Sequence, residues 1–405
     1  MSAHAARTPC EPKLHAGECP NCGNSSISTI FYEAKNVPVH SVLLMPTREC
    51  AVQFRRGDIE LGLCEGCGFV TNTAFDPHVH SYSERYEETQ GFSPTFQQFH
   101  RRLAESLIDT YGISGKRVVE IGCGKGEFLS LLCDLGENIG IGFDPAFVPE
   151  RNPAVNASRV TFIQDFYSEA YSDVAADVIC CKMTLEHIYD TRQFLETVRR
   201  SIGGRSETLV FFQVPDFERV LRDVAFWDIY YEHCSYFDAS SLRNLFELCG
   251  FEVIDSATEY DGQYLQIFAR PARVRRLPVR QPGIESMRAA VQRFGEHTRK
   301  KISIWDNLFA VTSNSGQRCL LWGSGSKAVS FLSALENPGA VEHVVDINPY
   351  RHGHYMPGTG HQIVAPEFLT GSDDRTLVVA MNAIYLGEIQ KTLDRINSKA
   401  RLLSV

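Results

Sequence analysis

No run of about 18 apolar residues occurs in this 405-residue chain, so no membrane span is expected. The start, MSAHAARTPCEPKLHAGE, lacks the apolar core of a secretory signal, and a cytoplasmic setting is expected. A dense Lys/Arg cluster is also missing and the formal net charge is −9, which argues against a nucleic-acid groove. A small-molecule partner is what these absences leave; the oligomeric state stays open. With 43% hydrophobic and 22% charged residues the composition is that of an ordinary globular protein, and the length calls for two or three domains. Cysteine, by contrast, is plentiful. Thirteen cysteines, an odd number without an export signal, read as reduced thiols, some of them metal ligands.

Two C-x2-C knuckles each end in Gly: CPNCG, with Cys19 and Cys22, and CEGCG, with Cys64 and Cys67. Two residues between thiolates let both sulfurs meet one ion, and four soft thiolates suit a closed, structural Zn²⁺ site. The competing reading is a pair of redox C-x-x-C motifs or ordinary buried cysteines. Cys10 and Cys50 have no matching partner. Further on, Ser93-Pro94 is an N-cap and first-turn pair, followed by Phe96, Phe99, Leu103, Leu107 and Tyr111 at helical spacing. Tyr86, Glu87 and Gln90 lie in the polar loop before it, read either as a solvated linker or as a lid or cofactor contact.

Residues 117–144, RVVEIGCGKGEFLSLLCDLGENIGIGFD, are the centre of the chain. A strand (117–121) meets a glycine turn (Gly122, Gly124 and Gly126). A helix follows over 127–135 with Phe128, Leu131, Leu132 and Leu135 on one side, then a strand (138–143) closed by Asp144. This is a nucleoside-binding βαβ layout: the glycines admit the ligand to the backbone, and the carboxylate accepts from the ribose hydroxyls. Alternation continues with strands at 160–166 (carrying Asp165), 177–183 and 208–215, helices at 190–202 and 240–249, and a terminal hairpin about Asp261-Gly262. Such alternation implies an α/β fold with a parallel sheet covered on both faces. An Arg/Pro-rich linker spans 271–282 and a long helix starts near Ile284. RCLLW-GSGSKA-VSFLSAL-VEHVVD then repeats the strand–turn–helix–strand layout, ending at Asp346. Gly323, Gly325 and Ala328 fit a NAD-type G-x-G-x-x-A loop, a weak motif alone. Before the 240–249 helix, Tyr230, Tyr231, Glu232, His233 and Tyr236 cluster, and His187 follows the strand ending near Met183. A histidine suits proton abstraction near neutral pH, with an adjacent carboxylate to orient it. The bland alternative is a satisfied surface His233 and a capping His187.

The E-x-G-x-G-x-G form of the first loop, with Glu120 before it and Asp144 and Asp165 closing the next strands, resembles class I S-adenosylmethionine (SAM) methyltransferases. That resemblance implies that Gly122 and Gly124 pass the methionine part, with Glu120 and Gly126 as further cofactor contacts. It implies that Asp144 holds the ribose, that Asp165 lies near the adenine, and that Gln90 contacts the cofactor. In their order, CPNCG…CEGCG, EIGCGKG, YYEHCSYF, GSGSK and DINPYRHGHYMPG resemble deoxysugar C-methyltransferases. The resemblance implies a zinc-binding domain (19–80) after a loose tail (1–18), a central SAM domain (81–272), and a C-terminal Rossmann-like domain (273–405) that helps hold a nucleotide-linked ketosugar. It further implies carbon methylation through an enolate, with His233 as base, Glu232 and Tyr230 as its assistants, and His187 and Tyr86 as further site residues. Many relatives carry His-Glu-His where this chain has Tyr231-Glu232-His233, and YEETQGFSPTF also differs. Methylation of oxygen or nitrogen, a non-catalytic SAM-binding role, and a NAD enzyme are the competing readings.

Overall fold

The computed structural model describes residues 18–23, 27–79, 86–151, 158–273 and 283–405. The expected tail, apart from Glu18, and most of the expected linker (274–282) lie outside the described residues. Strands β1 (Ile27–Pro38), β2 (Arg56–Cys64) and β3 (Val70–Asn72) pair antiparallel, with the short helix α1 (Arg48–Val52) between the first two. Helix α2 (Pro94–Tyr111) begins where the Ser93 hydroxyl accepts from the Phe96 amide at 3.2 Å, and it buries Phe96, Phe99, Leu103 and Leu107.

The central unit runs β4 (Arg117–Ile121), α3 (Glu127–Gly136), β5 (Ile139–Phe143), β6 (Val160–Ile163), β7 (Val178–Lys182), α4 (Thr191–Ile202), β8 (Leu209–Pro215), α5 (Phe217–Arg222), β9 (Ser235–Tyr236), α6 (Ala239–Leu248), β10 (Phe251–Glu259) and β11 (Tyr264–Pro271). Seven of its strands form one sheet in the order β10-β11-β8-β7-β4-β5-β6. The neighbours from β8 to β6 are parallel, while β11 runs antiparallel to both β8 and β10. This is the class I SAM-methyltransferase arrangement. The strand order turns around β4, so the loops after β4, β5 and β7 open at one carboxyl edge, where ligands of open α/β sheets bind. The third unit is α7 (Ile284–Asn314), β12 (Arg318–Trp322), α8 (Ser326–Ala334), β13 (His343–Val345), β14 (Ile363–Val364), β15 (Thr376–Ala380), α9 (Leu386–Arg395) and β16 (Arg401–Ser404), a five-stranded parallel sheet ordered β14-β13-β12-β15-β16. None of the described helices is long and apolar enough to cross a membrane.

Three features differ from the sequence expectations. Helix α3 turns Phe128, Leu129, Leu132, Cys133 and Gly136 inward and leaves Leu135 exposed, because side-chain-free Gly140 on β5 makes room for Leu129 and Cys133. Strand β6 stops at Ile163: its carbonyl is taken by the amides of Asp144 and Asp165, and Asp165 sits past the strand in an exposed turn. The first sheet is completed from the central unit, since β9 pairs with β3. One continuous core joins Ile59 and Leu61, Phe217, Phe226 and Trp227, and Phe294, Trp305 and Phe331, so residues from all three parts of the sequence share a single packed interior.

Candidate functional site

The loop after β4 is built by close approach. Gly122 has φ 70°, and a Cβ there would lie 2.0 Å from the Thr184 hydroxyl. The Gly124 amide donates to Asp144 Oδ2 at 2.8 Å and the Ala146 amide to Oδ1 at 2.7 Å, which points the Asp144 carboxylate along the loop with lone pairs left for a diol. Glu120 is buried, its Oε2 accepts no hydrogen bond from a described residue, and burial pushes its carboxyl up to about 7 despite Lys182 nearby. Lys182 is buried beside it, 3.3 Å from His100 Nε2 and 3.7 Å above the Phe128 ring, and burial lowers its pKa. Lys125 donates to the carbonyls of Tyr86 and Ala146 at 2.9 and 3.0 Å and lies 3.7 Å from Glu88, whose carboxyl burial raises to about 7. Asp165 lies on the rim, held by the Tyr171 hydroxyl at 2.6 Å. Gly126, expected among the cofactor contacts, does not line the cavity. It stands behind the loop, with φ 77° at the start of α3 and its amide on the Cys123 carbonyl.

A cavity of about 590 Å³ extends from this loop to the third unit. Its walls carry Glu120, Gly122, Gly124 and Asp144 on one side, Tyr86, Glu88 and Gln90 above, Glu186, His187, Tyr230 and His233 beyond, and Gly323, Gly325 and Lys327 from the third unit. The volume is that of a small-molecule site. Gln90 accepts from the Tyr385 hydroxyl at 2.7 Å, which ties the 86–92 segment to the third unit. Glu87 is the stronger tie: it pairs with Arg151 and accepts from Asn348 Nδ2 at 2.9 Å, while Arg351 donates to its main-chain carbonyl. The GSGSKA loop opens onto the same cavity, and its Asp346 accepts from the Ser324 amide at 2.7 Å and hydroxyl at 2.6 Å.

His233 is buried, and its amide donates to the Tyr230 carbonyl at 3.1 Å. Burial, with His187 and Lys327 nearby, lowers its pKa well below the usual imidazole range, so the ring is neutral and keeps a lone pair. The Tyr230 ring lies 4.0 Å from it, centroid to centroid, and the His187 ring 4.7 Å away at 89°. His187, lowered to about 4 by burial, is hydrogen-bonded to the main chain of Glu232. The Glu232 carboxylate, expected to assist His233, faces the first unit. It meets His40 Nδ1 at 3.1 Å, the Ser41 amide at 2.9 Å and the Ser41 hydroxyl, because the turn closed by the His233 amide on the Tyr230 carbonyl brings side chains 230 and 233 together and leaves Glu232 at its corner. The carboxylate beside His233 is Glu186, 4.0 Å from Nε2 and raised to about 8 by burial. Glu186 immediately precedes His187 in the sequence, and no local pattern sets it apart from other carboxylates. Tyr231 belongs to the core, its hydroxyl accepting from the Asp76 amide at 2.9 Å. Tyr86 packs with Val42, Leu43 and Ala146, its ring 6.2 Å from that of His40. Lys182, Glu88 and the Lys327–Asp228–Arg219 chain of charges also line the cavity and were not anticipated.

Cys19, Cys22, Cys64 and Cys67 are buried, and their sulfurs lie within 4.8 Å of one another, with Cys19–Cys67 at 3.8 Å and Cys22–Cys64 at 3.9 Å. Soft donors in this closed array could hold one tetrahedral cation. Asn21 donates to the Ser241 carbonyl at 3.2 Å and Arg192 to that of Cys22 at 3.2 Å, docking the cluster on α4 and α6.

Residues 93–256 match the methyltransferase domain family, and residues 282–400 the C-methyltransferase C-terminal domain family. The C-methyltransferase NovU of Streptomyces niveus is 29% identical over 225 residues, 53% of this chain and 51% of that protein. A ubiquinone biosynthesis O-methyltransferase of Cronobacter sakazakii is 27% identical over 138 residues, 32% of this chain and 55% of that protein. The chain thus spans about half the length of the curated relatives it matches. Magnesium protoporphyrin IX methyltransferase from Synechocystis PCC 6803 superposes with a TM-score of 0.35 at 15% identity, over 44% of this chain and 84% of that one.

Proposed function

The chain belongs to the SAM-dependent methyltransferases and carries a C-methyltransferase C-terminal domain, and from that premise we propose that it methylates the carbon next to a ketone of a nucleotide-linked deoxysugar, with His233 as base. The observation that carries this reading is a neutral, buried imidazole in the same cavity as the glycine loop, walled on its far side by the C-methyltransferase C-terminal domain.

The residues fit SAM. Glu120 offers an orphaned buried oxygen to an ammonium, Gly122 and Gly124 leave the backbone bare, and Asp144 is aimed for a ribose diol. Bound SAM supplies an electrophilic methyl on a sulfonium. His233 takes the proton from the carbon beside the ketone, and the C–H electron pair moves into the enolate. With SAM bound, the enolate carbon would take the methyl as the carbon–sulfur pair leaves with sulfur, and His233 returns the proton it took to solvent. Tyr230, its ring packed at 44° against that of His233, fixes the imidazole and offers a hydroxyl toward the developing enolate oxygen. Glu186 faces the imidazolium as it forms, and Glu232 holds the loop to His40 and Ser41. Tyr86, Gln90 and the third unit close the cavity over both ligands.

A structural zinc in the four-cysteine cluster belongs to the same reading, as do a cytoplasmic setting and a division at 19–80, 81–272 and 273–405. Oxygen methylation is the second reading, favoured by the ubiquinone-pathway relatives, whose likeness covers 32% of the chain or less. SAM labelled with ¹³C in its methyl, incubated with a panel of nucleotide-linked ketosugars, separates the two: NMR of the product is expected to show the label bonded to carbon. Label on oxygen or nitrogen overturns the C-methylation reading, and binding without any product across the panel supports a non-catalytic role instead.

A further inference from the structure

Glu186, His187 and His233 bring one carboxylate and two imidazoles together on the cavity wall, with a ligand atom of each within 4.8 Å of the other two. We propose that these three side chains form a divalent transition-metal site, distinct from the cysteine cluster, whose occupancy inhibits turnover because the cation takes the lone pair that His233 uses as base. The inhibition rests on the reading of His233 as base; the binding rests on geometry alone.

Glu186 is 1% exposed, and neither of its oxygens accepts a hydrogen bond from another described residue. A buried carboxylate left in that state is costly, and a cation bound against it removes the cost. His187 is turned toward the group by its hydrogen bond to the main chain of Glu232. Metal-bound histidines are commonly held this way, with the second ring nitrogen on a carbonyl that sets tautomer and ring direction. His233 Nε2 stands 4.0 Å from Glu186 Oε1, and the two imidazole rings are perpendicular. Drawing the three atoms in by about 1 Å gives the ~2.1 Å bonds that zinc or cobalt makes to nitrogen and oxygen. Two imidazoles and a carboxylate select the later first-row divalent ions over magnesium and calcium, which prefer all-oxygen shells. All three residues line the cavity, so further coordination positions face solvent and acceptor. Binding exchanges the Glu186 proton for the cation, and chelation reverses it.

The test is a titration of the full-length protein, its cysteine cluster loaded with zinc, with Co²⁺ followed by visible absorption. One further equivalent per chain is expected, with weak d–d bands and no thiolate-to-cobalt charge transfer. Glu186→Gln and His187→Asn are each expected to weaken it more than about tenfold, with circular dichroism verifying the fold of both. No added equivalent, or one that both variants bind as wild type does, overturns the site. In parallel, methyl transfer is expected to fall in proportion to cobalt bound and to recover with a chelator too weak to strip the cysteines. Cobalt bound at these residues with turnover unchanged overturns the inhibition and the assignment of His233 as base, while a preparation with no turnover at all fails the functional reading and leaves the absorption titration to decide the site.

Discussion

Glu120 and Glu88 are carboxyls raised to about 7 by burial inside a cavity that is to receive a cationic cofactor. In the free protein below that pH Glu120 is protonated, and if it holds the ammonium of SAM as proposed, binding requires release of a proton. SAM affinity is therefore expected to rise with pH through about 7 and level off above it, losing close to tenfold per unit on the acid side, about 1.4 kcal/mol. Calorimetric titration checks this, and Glu120→Gln is expected to give a weaker affinity with no such pH dependence. The same raised values act on folding with a definite sign. The protonated forms favour the folded state, so this contribution is full below the usual carboxylate range and is lost as pH rises through about 7. The apo protein's Tm is expected to decline over that window, less so in Glu120→Gln. The cysteine knuckles and the glycine loop could be read residue by residue, since each depends on local spacing. Glu186 and Glu232 could not be told apart this way. Both flank a histidine in sequence, and only the path of the loop decides that Glu186 faces His233 while Glu232 faces His40.

The segment 86–92 is the element on which the cavity closes. Its main clasp, Glu87 with Arg151, Asn348 and Arg351, joins the segment to the third unit and is largely buried. Removing one partner leaves the others uncompensated, a cost of roughly 3–5 kcal/mol. Glu87→Ala is expected to lower stability by that order in urea unfolding, and to speed amide exchange across 86–92 while exchange in β4 stays slow. Unchanged exchange there would mean that the segment is held by its apolar contacts instead. Helix α2 was readable because its cap and its apolar spacing agree. Strands β1 to β3 were not read, because β1 carries three register shifts that break the two-residue alternation a half-buried strand shows. Strand β9 is two residues long and pairs with a partner more than 150 residues earlier, a contact no local pattern announces.

Across the whole molecule, the cysteine cluster, the first sheet and the His233 loop form one mechanical unit. The cluster docks on α4 and α6, and β3 pairs with β9, which starts two residues after His233. With a metal in that cluster, Cys64→Ser is expected to lose one equivalent of zinc, to lower Tm, and to reduce kcat more than SAM affinity, because the loop that carries the proposed base His233 loosens while the glycine loop does not. Metal analysis beside steady-state kinetics checks this; equal losses in both parameters would point to global unfolding. The α/β alternation and terminal hairpin could be anticipated from the sequence, whereas the shared core could not, since its members are separated by most of the chain. The central claim, that the reaction passes through an enolate made by His233, is tested most directly without SAM. A nucleotide-linked ketosugar that the enzyme methylates is incubated in D₂O, and the hydrogen beside its ketone is followed by NMR. Exchange is predicted with wild-type protein and not with His233→Ala; no exchange with wild type, or equal exchange in the variant, contradicts the account.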